Sequence, residues 1–194
     1  MAERLIEECC RAHGMRAVSL RYFTAAGADA GGEVGEAQEP GTHLIPNLIR
    51  AAIDPSAGPV KIFGNDYETA DGTCIRDYIH VDDMCGAHLL ALDCLSRSGG
   101  YRAFNLGRGH GYSVAEVLAA CRAQCNSMPE AEFVERRPGD PTSLVASTAA
   151  AASALGWKPS RGLADYVALR SRAREVPRSA KQARRRPATG SEPH

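Results

Sequence analysis

The chain has 194 residues, and its 23 basic and 23 acidic side chains give a formal net charge of zero. A balanced charge provides no general attraction to nucleic acid or to an anionic membrane, so neither is expected as a partner. Charged residues interrupt every apolar run before it reaches the length of a transmembrane helix or a secretory signal. At 44% hydrophobic and 24% charged, the composition is typical of a globular domain.

Helical and strand-like patterns alternate along the first half of the chain. Apolar residues recur at helical spacing over 1–13, and Gly14 is placed to end that helix. A buried strand is predicted over 16–23, and the Gly-rich loop that continues through Gly35 has a length often associated with function. The next predicted elements are a helix over 43–53, a short strand over Val60–Phe63 and a polar loop over 64–74.

The second half continues this alternation. Residues 75–81 alternate as a strand, and Asp82 or Asp83 is predicted to cap a helix that runs to about Arg97. The remaining predicted elements are a strand over 102–106, a helix capped by Ser113 with Glu116 at the capping-box position, a strand near 131–135, and helices over 148–155 and 162–174. Strands that alternate with helices define the class as α/β.

Seven cysteines are scattered over the helical and strand-like segments. An odd number of cysteines, without the spacings typical of a disulfide framework, favours reduced thiols in a cytoplasmic protein. Cys121 and Cys125 have i, i+4 spacing, but no second ligand pair has zinc spacing, so no metal site is expected.

The composition changes after about Val176. Residues 177–194 contain three Pro, five basic residues and almost nothing apolar, which predicts a disordered basic tail behind a domain that ends near residue 170. Within it, the run Arg184–Arg186 is interpreted as solvated rather than as a nucleic-acid contact.

A dinucleotide-binding opening is not found in the sequence. A doubly wound sheet normally begins with a strand and a Gly-rich phosphate turn, whereas this chain opens on a predicted helix. The glycines of Gly107–Gly111 have the wrong spacing for G-x-G-x-x-G, and a strand-to-helix turn is the favoured interpretation.

The stretch 62–81, IFGNDYETADGTCIRDYIHV, carries the most chemistry. Phe63 offers an aromatic face, and Arg76 presents a planar fork of donors that suits a phosphate. Further along, Arg137 adds a second guanidinium and Asp140 could accept hydrogen bonds from ribose hydroxyls, so a site for a nucleoside diphosphate is one interpretation. The other consists of internal salt bridges, Arg76 with Asp77 and Arg137 with Asp140, and the residues alone leave both open. Tyr78 and His80 share one face of the predicted strand, where packing is the expected role.

Six segments together resemble the UDP-glucose 4-epimerases, which belong to the extended short-chain dehydrogenase/reductase superfamily. The resemblance covers about residues 1–170, with the motifs in the family's order and spacing, and its most specific part is the pattern GNDYxTxDGTxxRDYIHV. The segments are LRYFTAAGAD at 20–29, HLIPNLI at 43–49, the stretch 62–81, FNLGRGHGYSV at 104–114, RRPGD at 136–140 and ALGWKP at 154–159. This resemblance implies the C-terminal part of a Rossmann-like doubly wound sheet together with a small substrate-binding lobe.

The resemblance also implies ligands and their contacts. The family holds NAD and a UDP-sugar. Tyr22 and Phe23 would contact NAD, with Phe23 near the nicotinamide. Residues that would bind the UDP-sugar are Thr24 (where the family usually has Asn), His43 and Leu44 along the UDP, Lys61, Ile62 and Phe63 around the uracil, Arg76 and Arg137 on the diphosphate, and Asp140 on the ribose. Leu144 stands where certain members have a Tyr that reaches the sugar nucleotide.

The resemblance implies a reversible hydride transfer at C4 of the hexose. In this family a Tyr, assisted by a Lys four residues later, removes the hydroxyl proton. None of the six Tyr here is followed by Lys at that spacing, and the family's aromatic closing segment gives way after Val167 to Arg- and Ala-rich sequence. We therefore expect a truncated member in which Met1 is internal to a longer helix, with no catalytic residue of its own. The alternatives are a non-enzymatic UDP-sugar-binding module, or a subunit completed by a separate N-terminal chain. The resemblance leaves the oligomeric state open between a homodimer, since relatives commonly dimerise, and other states.

Overall fold

In the computed structural model, the described residues are 1–29, 31, 35–36, 41–97, 99–124 and 131–172. The predicted tail over 177–194, Cys125 and much of the Gly-rich loop lie outside them. Within these residues the fold is α/β, as predicted. The helices are α1 Ala2–His13, α2 Leu44–Ile53, α3 Val81–Arg97, α4 Val114–Gln124, α5 Ala149–Leu155 and α6 Leu163–Arg172, with a 3₁₀ turn at Pro55–Ala57. The strands are β1 Ala17–Tyr22, β2 Thr24–Ala26, β3 Val60–Phe63, β4 Ile75–Arg76, β5 Tyr78–His80, β6 Tyr101–Leu106, β7 Tyr112–Ser113, β8 Ala131–Val134 and β9 Ser143–Leu144.

Parallel pairing dominates the described sheets. β1 pairs with β6, β2 with β5 and β3 with β8, all in parallel. β4 lies between β7, which is antiparallel to it, and β9, which is parallel. Parallel neighbours need crossover connections, and the helices between these strands supply them.

β5 separates two hydrophobic cores, because successive side chains of a strand point to opposite faces. Tyr78 belongs to the core built on α2, β3, α4 and α6, whereas the fully buried Ile79 belongs to the core built on α3, β6 and α5. The chain thus forms two packed units that share one short strand.

The region 75–81 differs from its prediction as one strand. The strand is interrupted at Asp77, whose side chain is fully buried and accepts backbone hydrogen bonds from Arg108, Gly109 and Ala146 at 2.7, 3.0 and 3.1 Å. The backbone of Asp77 also changes partner at this point, because its N–H donates to the Leu144 carbonyl of β9 and its carbonyl accepts from the Thr24 N–H of β2. Asp77 therefore fixes the turn after β6 and the segment after β9 against the β4–β5 junction.

The start of α3 also differs from its prediction. The strand ends at His80 and the helix begins directly at Val81, so neither Asp82 nor Asp83 is the cap. Instead the Asp82 N–H donates to Nδ1 of His80 at 3.0 Å, which is the role of a capping side chain at a helix N-terminus. The Asp83 carboxylate accepts hydrogen bonds from the backbone N–H groups of Ser160 and Arg161 at 3.0–3.1 Å and so ties the segment before α6 to α3.

The capping box of α4 is confirmed. The Glu116 N–H donates to the Ser113 hydroxyl at 3.0 Å, and the Ser113 N–H donates to a Glu116 carboxylate oxygen at 2.7 Å. Each side chain satisfies a backbone donor that the helix itself leaves unpaired. The Ser113 hydroxyl in turn donates to Asp71, which links this helix start to the polar loop over 64–74.

One edge of β1 carries no strand within the described part of the chain, where its partner is β6 alone. Its side chains are only half-buried or exposed, although a parallel strand is normally covered on both faces. Large apolar side chains nearby in the fold are also exposed: Leu5 on α1, and Leu89 and Leu92 on α3, are 66%, 69% and 63% exposed. Both helices contact β1, so an open strand edge and bare helix faces occur together.

Among the described cysteines, Cys9, Cys10, Cys74, Cys85 and Cys94 are free thiols. Among the described residues, no group of three or more His, Cys, Asp or Glu side chains is arranged to hold a metal ion. In the same part of the chain, no helix has both the length and the apolar character needed to cross a bilayer.

His80 makes stability depend on pH. Its ring is fully buried, stacks on Tyr166 with centroids 5.8 Å apart, and leaves Nε2 without a hydrogen-bond partner. Burial lowers the pKa of His80 below its ordinary value of 6.5, against the opposing effect of the Asp82 carboxylate. As the pH falls through about 6.5, His80 therefore binds a proton in the unfolded chain but not yet in the folded chain. The free energy of unfolding is thus at its full value above that pH and decreases below it.

We expect the free energy of unfolding to drop by up to about 1.4 kcal/mol per pH unit below pH 6.5 on account of this one side chain. His80→Asn keeps an oxygen acceptor for the Asp82 N–H but cannot titrate, so its stability should fall less over pH 6.5–5.0 even if it is lower throughout. Urea unfolding at several pH values measures both slopes. His110→Asn, at an exposed position, is the control; equal slopes for wild type and His80→Asn would contradict the assignment.

Candidate functional site

One cavity of about 560 Å³ lies between α2, β3 and the segments around β4 and β8. Its volume is in the range of small-molecule sites. All nine residues that the resemblance assigns to the UDP-sugar line it: Thr24, His43, Leu44, Lys61, Ile62, Phe63, Arg76, Arg137 and Asp140. They come from five separate stretches of the sequence that the fold brings together.

The mouth of the cavity includes the N-terminus of α2. His43 is the residue before this ten-residue helix, it makes no side-chain cap hydrogen bond, and no acidic residue occupies the first turn. The first backbone N–H groups of a helix and its dipole favour negative charge, so this end of the cavity is electropositive. The His43 ring lies 3.0 Å from a Glu36 carboxylate oxygen through Nδ1.

The apolar wall of the cavity comes from β3. Val60 and Ile62 point into the core and are buried, whereas Lys61 is exposed and Phe63 is half-buried, as the alternation of a strand requires. The guanidinium of Arg137 lies over the Phe63 ring, 3.9 Å from its centroid. This cation–π contact holds the arginine at the cavity wall and keeps its charge available on the open side.

Arg76 and Asp140 form an ion pair inside the cavity, with side chains 14% and 28% exposed. The second outer nitrogen of Arg76 donates to the Ile75 carbonyl at 2.7 Å. The salt bridges considered from sequence, Arg76 with Asp77 and Arg137 with Asp140, are therefore wrong in their partners. Asp77 is occupied by backbone donors, and neighbours in sequence on a strand point to opposite faces.

A second arginine–aromatic pair supports the same wall from outside the cavity. Arg136 lies over the Tyr67 ring at 4.1 Å and donates to Asp66 at 2.6 Å. This hydrogen bond lowers the pKa of the Asp66 carboxyl. Gly64 has a φ of 81°, and a Cβ there would meet Tyr67 at 2.6 Å and Arg136 at 2.7 Å, so only glycine permits this packing.

Sequence reasoning missed several residues that line the cavity. Cys74 and Tyr78 are buried in its wall, and burial raises the pKa of both the thiol and the phenol. Asn47 and Arg50 reach it from α2. The signal available in the sequence was the helical spacing of these two after His43, which places them on one face of α2.

The two residues predicted to contact NAD do not line this cavity. Tyr22 ends β1, is 45% exposed, and its hydroxyl lies 2.7 Å from Nε2 of His88. Phe23 follows it and is half-buried, with its N–H donating to the Leu106 carbonyl at 3.2 Å. Both stand at the carboxyl end of β1, the edge at which open α/β sheets bind ligands, and they directly precede Thr24 of the cavity.

The glycine-rich turn after β6 does not offer a phosphate cradle. A Cβ on Gly107 would lie under 3.0 Å from Asp77 and from Ala146, and a Cβ on Gly111 would clash with Ile75. These glycines are required because the turn packs against the protein's own segments. The turn leads from β6 to β7 and α4, in agreement with its interpretation as a strand-to-helix connection.

Comparisons with known proteins agree with the fold. Residues 1–107 match the NAD dependent epimerase/dehydratase family. A UDP-glucose 4-epimerase of Halalkalibacterium halodurans is 48% identical over 157 residues, 81% of this chain and 47% of that protein. The crystal structure of UDP-glucose 4-epimerase from Brucella ovis in complex with NAD has a TM-score of 0.81 at 41% identity, covering 88% of this chain and 52% of that one. The enzyme from Bifidobacterium longum in complex with NAD⁺ and UDP has a TM-score of 0.83 at 33% identity, covering 89% and 51%.

The fold thus defines an α/β protein of the Rossmann-like class, and it contains a cavity of small-molecule size. The chain belongs to the NAD dependent epimerase/dehydratase family. It spans about half the length of the UDP-glucose 4-epimerases that it matches. The predicted resemblance, the fold class and the expectation that the chain corresponds to part of such a protein are therefore confirmed.

Proposed function

We propose that the cavity binds the UDP part of a UDP-sugar, and that the chain is the sugar-nucleotide-binding portion of a protein of the UDP-glucose 4-epimerase type, which interconverts UDP-glucose and UDP-galactose. One observation carries this proposal: every residue assigned to the UDP-sugar from the resemblance lines the same cavity. A related enzyme crystallised with UDP supports it.

The residues divide into roles by their chemistry. Arg76 and Arg137 supply two guanidinium groups for the diphosphate, assisted by the electropositive start of α2. Phe63 supplies an aromatic face for the uracil ring, and Asp140 accepts hydrogen bonds from the ribose hydroxyls. The Thr24 hydroxyl can make one hydrogen bond to the sugar, whereas the exposed Leu144 can make none.

The test is calorimetric titration of the full chain with UDP. We expect saturable binding that Arg76→Ala and Arg137→Ala each weaken by about tenfold to a hundredfold, because a hydrogen bond to a charged group contributes about 1.5–3 kcal/mol. Arg97→Ala removes the same charge from an exposed ion pair with Asp93 on α3, which does not line the cavity, and should bind UDP like wild type.

Two results would refute the proposal. One is the absence of UDP binding by a folded sample, with folding established by circular dichroism and a cooperative thermal transition. The other is an equal loss of affinity in Arg97→Ala and Arg76→Ala, since the effect would then follow net charge and not the cavity.

NAD is the cofactor that the family implies, and the described residues fit it only in part. Tyr22 and Phe23 stand at a suitable sheet edge, but the turn over Gly107–Gly111 is filled by the protein's own atoms. The sequence has no G-x-G-x-x-G and no Tyr-x-x-x-Lys. We therefore assign this chain the binding of a UDP-sugar and none of the hydride or proton transfer.

A second candidate function is that of a subunit completed by another polypeptide. The observation that favours it is the open edge of β1 beside the exposed Leu5, Leu89 and Leu92. An added parallel strand would satisfy the free backbone groups of β1, and its own helices would cover these side chains. The proposed partner is a polypeptide equivalent to the remaining half of a relative; a second copy of this chain is the other occupant to be tested.

Mixing the chain with the separately produced remaining half of the Halalkalibacterium halodurans enzyme tests this candidate. We expect a one-to-one complex by sedimentation and epimerisation of UDP-galactose by the mixture, with none by either half alone. Turnover by the chain alone would refute the assignment of its chemistry, and a homodimer that excludes the added half would place a second copy on this surface.

We propose the cytoplasm as the compartment. The support is that Cys9, Cys10, Cys74, Cys85 and Cys94 are free thiols, and that Cys85 is exposed, where an oxidising compartment would modify it.

A further inference from the structure

Both outer nitrogens of Arg76 are already hydrogen-bonded within the protein. One outer nitrogen of Arg76 is bound to Asp140 and the other to the Ile75 carbonyl. Both side chains are mostly shielded from water, at 14% and 28% exposed, so the pair is stronger than an ion pair on the open surface. In the free protein the site therefore carries its own anion.

An incoming anion must compete with that internal carboxylate. When a phosphate group takes the Arg76 nitrogen, Asp140 loses its partner while a second negative charge arrives beside it. A desolvated carboxylate without a partner is unfavourable, and the nearby anion adds repulsion. Inorganic phosphate and pyrophosphate carry no ribose hydroxyls to relieve either effect.

A nucleoside diphosphate differs because it brings hydroxyl donors along with its phosphates. Two vicinal ribose hydroxyls can donate to the carboxylate that the diphosphate displaces, so one ligand breaks the pair and satisfies both halves of it. Discrimination by leaving a polar group unpaired is far stronger than discrimination by shape alone.

We propose that Asp140 is a specificity-determining residue, acting as the internal counter-ion of Arg76 that excludes free diphosphate and admits a diphosphate only when a ribose accompanies it. This inference rests on the proposed binding of UDP. It gives Asp140 a second role, rejection of the wrong anion, in addition to contact with the right ligand.

The test compares three probes by calorimetry at constant ionic strength: UDP, its 2′,3′-dideoxy analogue and inorganic pyrophosphate. In wild type, UDP should bind far more tightly than the other two. In Asp140→Asn the affinity for pyrophosphate should rise by about tenfold or more, and the preference for UDP over the dideoxy analogue should shrink to about twofold. Asp66→Asn removes an equal charge from the neighbouring Asp66–Arg136 pair outside the cavity and should change neither ratio.

Each other outcome is decisive. If UDP binds wild type and Asp140→Asn leaves pyrophosphate binding unchanged, the counter-ion role is wrong while the UDP site stands. If both variants raise pyrophosphate affinity equally, the effect is one of net charge and the inference fails. If no probe binds wild type, the proposed function and this inference fail together.

Discussion

Replacing Asp77 by alanine is expected to destabilise the fold by about 3 kcal/mol or more, because a buried donor left without its acceptor costs about 1–3 kcal/mol. Asp77 is fully buried, and its carboxylate accepts the backbone N–H groups of Arg108, Gly109 and Ala146. Its own N–H and carbonyl bond to Leu144 and Thr24, so one residue joins β9, β2 and the turn after β6.

Urea unfolding followed by circular dichroism measures this loss. Asp77→Asn should fall between wild type and Asp77→Ala, because the amide keeps one acceptor oxygen but presents a donor in place of the other. Asp93→Ala, at an exposed position on α3, should stay within about 0.5 kcal/mol of wild type. Equal stability of Asp77→Ala and Asp93→Ala would show that these hydrogen bonds do not hold the two segments.

Gly27→Ala is the second substitution with a large expected effect, about 3 kcal/mol. Gly27 has a φ of 85°, which strains any residue with a Cβ, and an added Cβ would lie under 3.0 Å from the buried His80 ring. His80 is held by its stacking on Tyr166 and by the N–H of Asp82, so it cannot move aside without loss.

A matched control separates backbone strain from the clash. Gly14 has a φ of 64° and nothing within 4 Å of an added Cβ, so Gly14→Ala should cost only the strain, about 1 kcal/mol. Thermal unfolding of both variants gives the difference. In addition, the double variant Gly27→Ala/His80→Ala should lose less free energy of unfolding than the two single variants lose together, because His80→Ala removes the side chain with which the new Cβ clashes. If the two losses simply added up, the contact would be disproved.

The sequence predicted the elements well where a local pattern decides them. The capping box of Ser113 and Glu116, the strand Val60–Phe63 and the helix that begins at Leu44 all follow from residues within one element. The residues of the candidate site came from a specific motif whose spacing carries information about a whole family. That they share one cavity supports those assignments, and their roles stay predictions until UDP is titrated.

What sequence reasoning could not supply depends on partners far away in the chain. At the break, the Asp77 N–H bonds to β9 and its carbonyl to β2, and the start of α3 depends on a histidine, which is seldom a capping residue. To predict that Arg76 pairs with Asp140 and not with Asp77, one would need to know that β8 and β9 bring Asp140 to the end of β4.

The strand pairings described above also determine how the chain must be assembled. They contain no hairpin: Ala17 pairs with Tyr101, Val60 with Ala131, and even Ile75 with Ser113 spans a whole helix. At about 5–20 residues per second, a ribosome needs roughly 4–17 s to make the stretch between the first two partners. During that time β1 has emerged without its partner β6. We expect the nascent chain to be a client of chaperones that bind extended apolar segments, and its folding to be slow for a protein of this size.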